Sequence, residues 1–194
     1  MNTLTEEDIK FRFITPAIQK SGWDQRQILM EYFFTNGQVI VRGNTVKRGS
    51  RKKTDYLLLR KNGQQPLAII EAKDENHPVG AGMQQAIEYA QILDVKFAYS
   101  SNGHGFLEHD FFTGAERSIS IDDFPTESEL WSRYCQSKAI DSAQETIISE
   151  PYHFDIFTKI RPWYFQRIAI DRTVEAIAKG QKRILIVMAT GTGK

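Results

Sequence analysis

The sequence has one cysteine, no apolar stretch approaching the ~20 residues that span a bilayer, and almost no net charge. A lone thiol, Cys135, closes no intrachain disulfide and no cysteine-rich zinc site, so nothing points to an oxidising compartment. Residues 1–8 are acidic where a secretion signal would be basic, and no apolar run follows them. The expectation is a soluble, cytoplasmic protein with no membrane partner. With 13 glycines and six prolines among 194 residues, the chain is neither fibrous nor low-complexity, and 41% hydrophobic with 25% charged residues is an ordinary globular composition. At roughly 150 residues per domain, that length makes one domain with a modest remainder.

The 25 basic residues nearly balance the 24 acidic ones, but they are unevenly spread. Between Arg42 and Lys61 stand Arg42, Lys47, Arg48, Arg51, Lys52, Lys53, Arg60 and Lys61 against one acid, Asp55. Such a stretch can neutralise phosphates and release their counterions, or it can be a solvated basic loop with no partner.

Residues 4–19 have largely helical apolar spacing, with Thr5 as a cap and Ser21-Gly22 as a stop. Residues 32–35 and 38–42 flank Asn36-Gly37 and predict a hairpin. The short apolar runs 56–59 and 67–70 predict central strands buried on both faces. A helix over 83–93, a strand over 95–100 and an edge strand over 106–112 complete an α/β/α layered domain with a central mixed sheet. Residues 1–125 form this domain, 126–160 read as a polar helical linker, and 161–194 open a second unit. There, a helix over 163–179 precedes a buried strand, 183–187, that runs into Met188-Ala189-Thr190-Gly191-Thr192-Gly193-Lys194.

A strand entering a Gly-rich turn that ends in Gly-Lys lets backbone amides cradle a nucleotide's phosphates while the lysine reaches the β and γ groups. Gly191, Thr192, Gly193 and Lys194 are the candidate phosphate binders. The run 189–194 is similar to motif I of superfamily-two helicases. Arg161-Pro162-Trp163-Tyr164-Phe165-Gln166 resembles the segment with which those motors read adenine, which implies that role for Gln166. A phosphate loop also needs the helix that follows it. The expectation is therefore a piece of a longer, ATP-driven protein that turns over no ATP as it stands, a prediction checked by ATPase assay against Lys194→Ala.

An acid two residues before a lysine occurs at Asp8-Ile9-Lys10, Glu71-Ala72-Lys73 and Asp94-Val95-Lys96. Only the second ends an apolar strand, whose two-residue period puts Glu71 and Lys73 on one face with the Ala72 carbonyl between them. Asp55 opens the neighbouring strand. Two carboxylates and a carbonyl suit Mg²⁺ (or Mn²⁺), so Asp55, Glu71 and Ala72 are the expected metal ligands. Lys73 beside them would orient or deprotonate a water for phosphodiester cleavage.

Asp55 with Glu71-Ala72-Lys73 is similar to the PD-(D/E)xK nuclease motif, with Thr54 in place of the proline that names it. Gln85-Ala86-Ile87-Glu88-Tyr89 resembles the Gln-x-x-x-Tyr motif of the RecB-like branch, which implies that Gln85 and Tyr89 position DNA. Glu6 resembles an accessory acid of these nucleases, a part that Glu7 could play equally well. The order of nuclease, linker and helicase motor resembles the restriction (motor) subunit of Type I restriction-modification enzymes, as do Ile14-Thr15-Pro16-Ala17-Ile18, Gly22-Trp23 and Ser101-Asn102-Gly103. That likeness implies cleavage of double-stranded DNA, a restriction-endonuclease-like fold followed by the first helix and strand of a RecA-like motor, and specificity and methyltransferase subunits as partners. Rival readings are a nuclease-helicase of another defence or repair system and a catalytically silent nuclease-like DNA-binding module.

Overall fold

The structure, a computed structural model, describes residues 3–34, 39–42, 45–48, 51–153 and 162–188, with backbone alone for 39–42 and 45–48. The chain divides into two compact units, Met1–Trp131 and Ser132–Lys194.

The first unit opens with α1 (Glu6–Ile9), capped by reciprocal hydrogen bonds between Thr5 and Asp8. A π-helical turn, Lys10–Ile14, links it to α2 (Thr15–Lys20). Pro16 accounts for the wide turn, because it has no N–H to give and its ring excludes the carbonyl four residues back. The Lys10 carbonyl accepts instead from the Thr15 N–H and, at 3.2 Å, from the Tyr56 hydroxyl. Ile9, Ile14 and Ile18 face inward at 1% exposure or less.

The sheet strands are β1 (Ile28–Phe33), β4 (Lys53–Leu59), β5 (Pro66–Ala72), β6 (Phe97–Ser101), β7 (Gly105–Asp110) and β8 (Glu116–Ser120), in spatial order β1-β4-β5-β6-β7-β8. β5 and β6 are parallel and all other neighbours antiparallel, so the sheet is mixed as expected. Helix α3 (Met83–Leu93) makes the crossover between the parallel pair and packs on both strands. Consecutive residues Tyr56, Leu57 and Leu58 are all buried, as are Ala68, Ile69 and Ile70, so the centre of the sheet is covered on both faces. Among the described residues no helix is long and apolar enough to cross a membrane.

Three expectations need correction. Of the two runs expected to form a hairpin, the described residues do not pair with each other: β1 lies against β4, while β2 (Val39–Arg42) pairs with β3 (Thr45–Arg48) in a separate two-stranded sheet. The turn itself, Asn36-Gly37, lies outside the described residues. β7 is not the edge. β8 is, and its sequence Glu-Arg-Ser-Ile-Ser has too little apolar character to advertise a strand; backbone pairing to β7 and the Arg117–Glu108 ion pair hold it.

In the second unit, α5 (Ser142–Ser149) packs on α6 (Tyr164–Ala178), after α4 (Glu127–Lys138), which contains the division between the units. Tyr134 donates to Glu175 at 2.9 Å, and Lys138 and Lys179 pair with the same carboxylate. The third correction falls here. Residues 183–187 are not a strand, and Leu185 and Val187 are exposed. An apolar run becomes a strand only with a ladder partner, and among the described residues of this unit there is no other strand. Gln166 caps α6, its side-chain carbonyl accepting from the Trp163 N–H at 2.9 Å. Gly191, Thr192, Gly193 and Lys194 lie outside the described residues.

Candidate nuclease centre

The β4–β5 ladder pairs Tyr56 with Ile70, and one step further that register sets Asp55 across from Glu71. There the strands no longer bond backbone to backbone. Asp55 Oδ2 accepts the Ala72 N–H at 2.8 Å. Because a strand residue turns its N–H and C=O to the same edge, the Ala72 carbonyl faces this gap too. Lys73 continues the strand, its N–H donating to the Ser101 carbonyl at 2.8 Å, so the Ser101-Asn102-Gly103 turn fixes the end of β5. Asn102 in turn donates to the His77 carbonyl at 2.8 Å and holds the loop that follows Lys73.

Glu71 is 1% exposed. Its Oε2 accepts from Gln85 at 2.7 Å, whereas its buried Oε1 makes no hydrogen bond of good geometry; the Thr54 hydroxyl and the Asp55 N–H lie near the carboxyl and offset its burial only in part. An orphaned carboxylate oxygen in the interior costs free energy unless a proton or a cation serves it. Accordingly, burial and then the nearby charge of Asp55 push Glu71 up to about 8. Gln85 and Tyr89 share one face of α3. Gln85 is thereby a positioning residue for Glu71, and Tyr89 packs edge-on to Phe34 with ring centroids 5.1 Å apart. Burial, then the charge of Glu71, raises the Tyr89 hydroxyl above its ordinary value.

α3 reaches Glu71 because Gly82 precedes it. The Gly82 N–H donates to Ser100 Oγ at 2.9 Å, and a Cβ there would lie 2.9 Å from that oxygen and 3.1 Å from Glu71 Cβ. Gly82→Ala is expected to destabilise the fold by about 1–3 kcal/mol, as overpacking does, and to displace the Glu71 carboxylate. Thermal melting and a crystal structure of the variant check both effects.

Glu6 stands 4.0 Å from the Lys73 ammonium and 3.8 Å from that of Lys10, and burial followed by the Asp55 charge raises its pKa. Glu7, more exposed, reaches Lys10 alone, at 2.5 Å, so of the two acids Glu6 is the one beside Lys73. The structure thus gathers Asp55, Glu71, Ala72, Lys73, Gln85, Tyr89 and Glu6 at one end of β4 and β5.

Two members of this cluster were not anticipated. Lys10, almost wholly buried, donates to Asp55 Oδ1 at 3.1 Å and to Glu31 at 2.6 Å. Burial alone would push this ammonium down, but hydrogen bonds to Glu31, Glu7 and Asp55 outweigh it and raise its pKa. Glu31 falls opposite Asp55 in the β1–β4 register and takes a left-handed φ of 52° inside a strand. That conformation costs a non-glycine residue about 1–3 kcal/mol and tends to occur at functional sites. Lys10 did carry a signal: it stands four residues before Ile14 and eight before Ile18, on the buried stripe of its helix.

The basic stretch is less available than its sequence implies. Lys52 pairs with Glu88 and Lys53 with Glu31, while Arg60 is buried between Glu127, at 3.1 Å, and the Trp131 ring, 3.4 Å away. Arg60 holds the start of α4 and is no phosphate contact. The side chains of Arg42, Lys47 and Arg48 are outside the described residues.

Among the described residues no three His, Cys, Asp or Glu side chains form a metal cluster. The candidate set is two carboxylates and a backbone carbonyl, oxygen donors that fit a hard cation keeping much of its water, and the orphaned Glu71 oxygen fits it as well.

A mixed sheet with two acids at the parting of a central antiparallel pair and a lysine two residues on defines a restriction-endonuclease-like α/β fold. Over its whole length the chain is homologous to endonuclease subunits of Type I restriction enzymes. It is 45% identical over 199 residues to the Type I restriction enzyme EcoAI endonuclease subunit of Escherichia coli, covering 100% of this chain and 24% of that protein. The EcoKI endonuclease subunit of Escherichia coli strain K12 is 26% identical over 247 residues, covering 98% and 20%. A solved fragment assigned to the HsdR subunit of a type I restriction enzyme from Vibrio vulnificus YJ016 superposes with a TM-score of 0.85 at 44% identity, covering 100% of this chain and 36% of that one. A family profile described as Type III restriction enzyme, res subunit, matches residues 159–194. The chain therefore spans about a quarter of the curated relatives that it matches.

Proposed function

We propose that residues 1–125 are the Mg²⁺-dependent endonuclease domain of a Type I restriction subunit that cleaves double-stranded DNA. The observation that carries this reading is the buried Glu71 carboxyl across from Asp55, its Oε1 without a hydrogen bond of good geometry, with Lys73 just past the end of the same strand. Asp55, Glu71 and the Ala72 carbonyl would hold the ion, which when bound polarises the scissile phosphate and lowers the pKa of a coordinated water. The protein's own groups do the rest. Gln85 fixes the Glu71 carboxylate by its 2.7 Å hydrogen bond. Lys73, its ammonium 4.0 Å from Glu6, would orient the attacking water and offset the charge of the pentavalent transition state. Tyr89 offers a hydroxyl on the same helix face for DNA.

The linker over 126–160 then leads to the start of an ATP-driven motor at 161–194, with Gln166 reading adenine and Gly191, Thr192, Gly193 and Lys194 binding phosphate. The cytoplasm is the setting, and specificity and methyltransferase subunits are the partners, as expected of such an assembly. Plasmid cleavage by the full-length subunit with its partner subunits tests the reading. Cutting should require Mg²⁺ or Mn²⁺ and vanish in Asp55→Asn with ATP hydrolysis intact. Undiminished cleavage by Asp55→Asn rejects it, and DNA binding without any cleavage would favour the silent module.

A further inference from the structure

Asp55 separates two regions with opposite needs. On one side lies Glu71, whose Oε1 makes no hydrogen bond of good geometry. On the other, the Lys10 ammonium sits 3.1 Å from Asp55, 2.6 Å from Glu31, 2.5 Å from Glu7 and 3.8 Å from Glu6. Carboxylates drawn from α1, β1 and β4 converge on one positive charge, a charge demand of the kind that a hard divalent cation also meets. Here a lysine side chain, 2% exposed, has that place. Both oxygens of Asp55 are served, one by Lys10 and one by the Ala72 N–H.

The delivery of this ammonium is built into the fold. The π turn starts at Lys10, and the Tyr56 hydroxyl, 2.9 Å from Thr15 Oγ1, secures its carbonyl. From the facing strand, the left-handed backbone at Glu31 accompanies a carboxylate that meets Lys10. Cation demand is therefore met on the Glu31 side and unmet only on the Glu71 side.

We infer that the Lys10 ammonium permanently fills the position of a second divalent cation, so that the nuclease centre works with one metal ion at Asp55 and Glu71 rather than a pair bridged by Asp55. This rests on the proposed reading of Asp55 and Glu71 as metal ligands. Two-metal centres place cations about 3.5–4 Å apart to clamp both the attacking and the leaving oxygen. With Lys10 in place, a second ion would have to evict a buried ammonium from its carboxylates. Lys10 is a positioning residue: it holds Asp55 for the single ion and is covered by protein.

Mn²⁺ binding to the 194-residue chain, counted by electron paramagnetic resonance without DNA, tests the inference. Wild type is expected to bind one ion at this centre. Lys10→Ala is expected to bind one more than wild type, and Glu31→Gln added to it should remove the extra ion. If Lys10→Ala is unfolded without metal, Mn²⁺ is expected to restore cooperative melting, because the ion replaces the missing positive charge. A wild type that binds an exchange-coupled Mn²⁺ pair overturns the inference, as does a Lys10→Ala chain that gains no ion or that Mn²⁺ fails to restore. Wild type binding none while Lys10→Ala gains one sinks the Asp55–Glu71 reading and leaves the assignment of Lys10 standing.

Discussion

Lys73→Ala is expected to reduce DNA cleavage about 10²- to 10⁴-fold, the contribution of a positioned acid–base group, while leaving DNA affinity and melting temperature close to wild type. Lys73 is the residue after Ala72, whose N–H ties Asp55 to β5, so its ammonium shares the end of the strand with both acids. Its nearest acidic partner is Glu6 at 4.0 Å, a contact too long and too solvated to contribute much to stability. Removing the ammonium therefore removes chemistry and little else. Single-turnover cleavage beside a binding titration distinguishes the outcomes. A loss of affinity equal to the loss of rate would make Lys73 a DNA-binding residue, and an unchanged rate would remove it from the site.

Glu71→Gln is the second variant with a large expected effect, and it acts on stability and metal binding together. In the metal-free protein Glu71 holds a proton up to about pH 8, whereas the unfolded chain releases it near 4.5. Between those values the folded state binds more protons than the unfolded one, so this residue makes stability fall as pH rises, by up to about 1.4 kcal/mol per pH unit. Below pH 4.5 the penalty is absent, and above pH 8 it is complete. Glu71→Gln removes the titration. The variant should melt at about the wild-type temperature at pH 4.5 and well above it at pH 8.5 when both are free of divalent ions. Mg²⁺ should narrow that gap by raising the wild type alone. Calorimetry at both pH values, with and without Mg²⁺, measures it, and a variant less stable than wild type at pH 8.5 would mean that the buried carboxylate is otherwise served.

The elements that carry the chemistry were legible because they are the most buried. Runs such as Tyr56-Leu57-Leu58-Leu59 and Leu67-Ala68-Ile69-Ile70 admit few structures besides central strands, and polar residues at their ends, Asp55 and Glu71, stand out against them. The same contrast sets Gln85 and Tyr89 on a helix otherwise buried through Ala86, Ala90 and Leu93. Where burial gives no pattern the reading failed. β8 is polar along its length, and β1 is joined by long-range pairing to β4, which no local hairpin signal reports. Residues 183–187 have strand composition without a strand beside them, and pairing decides over propensity.

Lys10 and Glu31 were missed for a further reason. Asp8-Ile9-Lys10 matches a spacing common in any charged chain, and what distinguishes Lys10 is its place on the buried stripe with Ile14 and Ile18 together with the π turn that begins there, a consequence of Pro16 six residues later. Glu31 owes its place to a backbone conformation that its residue type does not favour. Both belong to the site through tertiary geometry, not through any motif.

A crystal of the chain soaked in Mn²⁺ and measured at the manganese absorption edge shows directly whether Asp55 and Glu71 hold a metal ion. One anomalous peak is expected, bound by Asp55 and Glu71, with Lys10 still on Asp55 and Glu31. Ordered carboxylates at full Mn²⁺ occupancy elsewhere in the crystal, with no peak between them, would contradict the proposed metal site.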